Sequence, residues 1–295
     1  LTMNKTNINK KWWNGCGRYI SGWGFICMIL LMLILLTMKN SFMETEPERT
    51  LLYEIFEVGK GNWINTGLIA TSVFQLTDIS NLSEWLIIFF PFIASYTFVT
   101  IFCDDFQSGF VRCTAIRMGS QKYIHKIFRY GILSILMTGL TALILFTIFC
   151  AVTCVPLHNL PHEEAAMLYK VIWQKNYTNT VDPVIWHYMY PIIHNDMVIL
   201  FVMLLEGLVS FLLAAGTKNK YFSLCVPCMV LYILVKTSNS LTEQGFGWAE
   251  YLSPTIWLTH VPSMITLISL SVFIIAIAEN IFVQLLERGV DCLAY

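Results

Sequence analysis

Six stretches of this chain are apolar and contain no Lys or Arg: 20–38, 86–103, 130–152, 197–215, 222–235 and 264–286. A helix needs about 20 consecutive, mostly apolar residues to cross a bilayer. Five of the stretches come near that length or exceed it. The fifth, 222–235, is short, and Lys236 at its end can reach the headgroups. The only acids inside the six are Glu206 and Glu279. Charged residues make up 13% of the chain, against about 25% in a soluble domain. The pattern predicts an all-α integral membrane protein of six transmembrane helices, a single membrane domain spanning 1–295. The net charge of -1 leaves no basic face for a nucleic acid.

The connections set the orientation, because Lys and Arg concentrate on the cytoplasmic side. Segments 1–19, 104–129, 216–221 and 287–295 carry twelve of the eighteen basic residues, and the opposite connections carry six with thirteen acids. Both termini are therefore expected in the cytoplasm. The first span is read as a retained anchor, since its apolar core exceeds a signal peptide's and no small-x-small site follows Met38. None of the nine cysteines lies in loops 39–85, 157–196 or 237–262, so no outside disulfide is expected. The Cys225/Cys228 pair sits inside a span without a His or acid beside it and reads as small packing residues.

The connections have patterns of their own. Segment 1–19 mixes Lys10, Lys11 and Arg18 with Trp12, Trp13 and Tyr19, which suits a helix lying in the inner interface. In 39–85, Leu51, Leu52, Ile55 and Phe56 recur at helical spacing opposite Glu48, Glu54 and Glu57. Loop 157–196 is rich in His and aromatics. Interfacial anchoring accounts for these, and metal capture by His158 and His162 is the alternative, weakened by Pro161 between them. The cytoplasmic connection 104–129 is too long for a turn. Phe106, Phe110 and Cys113 share a helical face there, Gly119 marks a break, and a second amphipathic piece, 121–128, leads into the third span.

Ionisable groups inside spans are functional candidates by default. Glu206, with Ser210 nearby, reads either as a polar site on a translocation path or as a protonated Glu hydrogen-bonded to a neighbouring helix. Glu279 reads as a structural group reaching toward the inner interface. Ser134, Thr138 and Thr141 form a stripe that lines a path or lets helices pack closely. Pro91 and Pro227 can kink the second and fifth spans.

Enzyme chemistry finds no support. A phosphate-binding GxxxxGK[ST] loop and a GxSxG nucleophile are absent from the sequence. The Glu163–Glu164 pair, reminiscent of prenyl-processing membrane proteases, lies in an outside loop without the Arg such a site requires. No convincing three-plus-three repeat marks a secondary transporter.

Three features together resemble the type-2 permease subunits of ATP-binding-cassette transporters, and among them the small bacterial permeases of peptide-antibiotic export and self-protection. They are six spans with both ends inside; Asp105 to Gly109 leaving the second span, followed by Arg117, Gly119, Ser120, Tyr123 and Lys126; and YLSPTIWL at 251–258 just outside the sixth span. The resemblance implies a multi-pass plasma-membrane protein, bacterial by that likeness, that exports a hydrophobic or amphipathic cargo (peptide, antibiotic or lipid-like). It implies a coupling helix within 104–121 that docks on a separate ATPase subunit, with Asp105, Phe106, Gly109, Phe110 and Arg117 as its residues. It further implies a re-entrant outer segment at 247–263, with Pro254 and Trp257 at the gate. The chain would pair with itself or a sister permease. It would bind no cofactor or metal itself, with ATP and Mg on the partner ATPase. The competing readings are an ion-coupled secondary transporter and a non-transporting assembly or sensor subunit.

Overall fold

The computed structural model describes residues 22–37, 84–153, 185–248 and 263–291. They form seven α-helices: α1 (Trp23–Thr37), α2 (Glu84–Gln107), α3 (Phe110–Met118), α4 (Ser120–Thr153), α5 (Ile185–Thr217), α6 (Lys220–Glu243) and α7 (Met264–Asp291). Among the described residues there is no strand. Five helices (α2, α4, α5, α6 and α7) are long and apolar enough to cross a membrane, and α1 is a shorter apolar helix. The chain is thus a multi-pass helical membrane protein.

Two expected boundaries move. The span expected at 222–235 is not short, because α6 runs on to Glu243. Its polar end stays helical because Thr237 and Thr242 return their hydroxyls to the carbonyls of Ile233 and Ser238, which satisfies them within the helix. The helix of the fourth span begins at Ile185, and its span at Ile192 rather than at 197, so the end of the expected loop 157–196 belongs to α5. Segment 121–128 leads into the third span as expected, forming the first turns of the 34-residue α4. Pro91 and Pro227 lie inside the continuous helices α2 and α6.

α2 is the central helix and adjoins α1, α3, α4, α5 and α6. Its most apolar stretch is 72% buried within the protein, against 17% for α7, so α7 lies at the periphery of the bundle. Lipid is as apolar as Leu, and helix association in it comes from close packing rather than expulsion of water. Phe211 of α5 is the centre of that packing. Its ring centroid lies 4.4 Å from those of Phe98 and Phe282 and 5.6 Å from that of Phe128, joining α2, α4, α5 and α7 through rings that are all fully buried.

Long-range contacts bring the helices into register at one end. Gly22 at the start of α1, Asp104 near the end of α2 and Lys220 at the start of α6 line one cleft. The Gln107 side chain donates to the Lys218 carbonyl at 3.5 Å, and His125 near the start of α4 meets Glu279 on α7. α3 lies at this same end.

Candidate functional site

α3 is a cross-helix between two glycine hinges. Gly109 (φ 74) turns the chain out of α2, and Gly119 (φ 84) separates α3 from α4. A Cβ at either would meet nothing within 4 Å, so glycine is required there by backbone conformation and not by space. Val111 and Ala115, one turn apart, are buried against the bundle. Phe110, Cys113, Ile116 and Arg117 are exposed on the other side, and Ile116 is 84% exposed. Large apolar groups and a cation thus share the face that α3 turns away from the core.

The residues expected to dock a partner divide in two. Phe110 and Arg117 lie on the outward face. Asp105 is buried, and Phe106 packs against the core with the Lys218 ammonium 4.4 Å from its ring centroid. Gly109 acts through its backbone alone. Ile116, the most exposed apolar residue of α3, was missed by sequence reasoning. Its position in the 110, 113, 116/117 spacing was the available signal, but nothing showed that Val111 and Ala115 would take the inner face.

The link between α5 and α6 consists of two residues, Lys218 (φ 56) and Asn219. The Asn219 side chain accepts from the Tyr221 and Phe222 amides and caps α6, satisfying donors that helix geometry leaves unpaired. This short link sets Lys220 against α2, where its Nζ lies 2.8 Å from Asp104 Oδ1. Both groups are partly exposed, so the pair positions the helices more than it stabilises them.

Behind the pair opens a cleft of about 610 Å³ between α1, α2 and α6. Phe92, Ile101 and Leu224 give it apolar walls, Tyr96, Thr97 and Thr100 add polar groups, and Asp104 and Lys220 add a charged pair. Such a shape takes a long apolar body with a polar or charged end.

Deeper in the bundle, Glu206, Ser210, Ser134 and Thr138 are buried. Neither carboxyl oxygen of Glu206 has a hydrogen-bond partner, nor do the hydroxyls of Ser134 and Ser210. Thr138 donates to the Ser134 carbonyl at 2.8 Å, so the expected Ser134–Thr138–Thr141 stripe is not one uniform polar surface. Thr141 is half-buried. Glu279 accepts from or bonds to His125 Nδ1 at 2.8 Å, a link between α4 and α7.

Among the described residues no group of three His, Cys, Asp or Glu is placed to hold a metal ion. Pro254 and Trp257, the segments 1–19 and 39–83, and His158 and His162 lie outside the described residues. Comparison with family models, with curated proteins and with solved structures gives no match.

Proposed function

We propose that this chain is the membrane-spanning permease subunit of an ATP-driven transporter, with six spans, both termini in the cytoplasm of a plasma membrane, and ATP hydrolysed by a separate subunit. One observation carries the reading. α3 is a short helix held between two spans at the end expected to be cytoplasmic, and it presents Phe110, Ile116 and Arg117 outward. A helix fixed between α2 and α4 must move when either moves, and its exposed apolar face suits a groove on a partner protein. The cleft between α1, α2 and α6 has its charged pair, Asp104 and Lys220, at the same end and suits a hydrophobic or amphipathic cargo, exported outward on this reading. The chain itself needs no cofactor in this scheme. It works as a dimer with itself or with a sister permease.

The test is purification of the tagged chain from its native membrane in mild detergent, with identification of what accompanies it. A stoichiometric ATPase carrying a phosphate-binding loop, lost when Ile116 is replaced by Glu, is the expected result. A folded chain that purifies alone would overturn ATP coupling and leave the ion-coupled reading, which the unpartnered Glu206 carboxylate favours.

A further inference from the structure

α1 and α6 both pack on α2 and leave between them the cleft of about 610 Å³. The α2 residues that line it run from Phe92 to Asp104. Asp104 follows Phe92 by twelve residues, a helical rise of about 18 Å. Half of a bilayer's hydrocarbon core is roughly 15 Å, so the cleft has the depth of one lipid leaflet. The span of α2 ends at Gln107 and that of α6 begins at Lys220. Asp104 and Lys220 therefore stand at the edge of the apolar layer, where lipid headgroups lie, and Phe92 lies toward mid-membrane.

The charges of the cleft stand at that edge alone. Asp104 and Lys220 are the charged residues among those that line it. The Lys218 ammonium is turned over the Phe106 ring, 4.4 Å from its centroid, and is not one of them. Phe92, Ile101 and Leu224 are apolar walls, and Tyr96 and Thr100 add hydroxyl side chains between the charged end and Phe92. Gly22 and Gly24 of α1 contribute no side chain, and a Cβ on Gly22 would meet nothing within 4 Å. The bond from Lys220 Nζ to Asp104 Oδ1 is 2.8 Å long. It uses one ammonium donor of three and one carboxylate oxygen of two. Both side chains are partly exposed, so each keeps capacity for a further partner.

This charge pattern selects the occupant. A headgroup of one sign is attracted by one member of the pair and repelled by the other. A headgroup with both signs finds a complement at each: its phosphate accepts from Lys220 and its ammonium donates to Asp104. A quaternary ammonium has no N–H to give a carboxylate, so a primary amine fits better than a choline. We infer that the cleft between α1, α2 and α6 is a binding site for one phospholipid whose headgroup carries a phosphate and a primary amine, as in phosphatidylethanolamine. An acyl chain of that lipid lies along Ile101, Leu224 and Phe92. The site rests on the cleft alone; its use for cargo rests on the proposed function, whose cargo class it names.

The experiment is lipid retention by the purified full chain. Protein in mild detergent is stripped of native lipid and incubated with equal amounts of phosphatidylethanolamine, phosphatidylcholine and phosphatidylglycerol of the same acyl chains. Native mass spectrometry then identifies what stays bound. The wild type should keep a single phosphatidylethanolamine, favoured about tenfold over the other two, the worth of one charge-assisted hydrogen bond. Asp104→Lys sets two cations at the headgroup end and should turn the preference to the anionic phosphatidylglycerol. Exchange of both charges should keep phosphatidylethanolamine. Gly22→Phe adds a ring at the α1 wall and should reduce retention of all three lipids. Should that variant fail to fold, Asp104→Lys, at a partly exposed side chain, carries the test. Equal retention of the three lipids by the wild type shows annular lipid only and overturns the site. No retained lipid, or a preference unchanged in Asp104→Lys, overturns it as well. Selective retention by a chain that recruits no ATPase keeps the site and removes ATP-driven transport.

Discussion

Lys220 at the start of α6 and Asp104 near the end of α2 are 116 residues apart in sequence and 2.8 Å apart in space. Both line the cleft between α1, α2 and α6. Charge reversal at one partner sets two like charges against each other there, and exchange of both restores attraction. Lys220→Asp and Asp104→Lys should each impair cargo movement, and the double exchange should recover most of it. Thermal melting should change little in all three, since a partly exposed pair contributes little to stability. Equal loss in the double exchange would show that the cargo reads the lysine itself.

Replacing Ile116 or Phe110 by Glu puts a carboxylate on the outward face of α3. Both residues are substantially exposed, so the fold should lose no more than about 0.5 kcal/mol. Association with an ATPase should fall by tenfold or more, measured by co-purification. Phe106→Ala should act differently. It removes a ring that packs on the core beneath Lys218, so it should lower the melting temperature as well as the coupling.

Cys113 is exposed on α3, whereas Cys103 and Cys150 are buried. A membrane-impermeant maleimide should label a variant retaining Cys113 alone in inverted vesicles and not in intact cells. Labelling from outside would reverse the orientation taken from the basic residues.

The close approach of α4 to α5 depends on a missing side chain at Gly139, where a Cβ would lie 2.7 Å from Leu200 Cδ2 and 2.9 Å from Met203 Sδ. Gly139→Leu must separate the helices and should cost about 1–3 kcal/mol, read as a lowered melting temperature. Phe211→Ala removes the ring shared by α2, α4, α5 and α7. It should cost about 3–5 kcal/mol, the largest effect of any single substitution proposed here.

The membrane character of this protein and the approximate position of its helices were legible in the sequence, because a bilayer demands long uncharged runs whatever the helices later touch. The hinge at Gly119 was legible for a similarly local reason. The ends of the helices were not. Thr237 and Thr242 read as loop residues until their hydroxyls are seen to close on the carbonyls four residues back. The composition of the candidate sites was visible residue by residue: Glu206, Ser210 and Ser134 stood out as polar groups in apolar runs, and Phe110 and Arg117 as parts of a cytoplasmic segment. Their arrangement was decided by tertiary structure. The burial of Asp105 and the exposure of Ile116 depend on which face of α3 meets the bundle. The close approach of α2, α4 and α5 rests on glycines at 131 and 207, whose missing side chains leave room for Phe211, Phe98, Ala94 and Ile135. Periodicity along a chain specifies which residues share a face of one helix, but the level at which three helices meet is set by packing between residues far apart in sequence, such as Gly131 with Phe211 and Gly207 with Ala94.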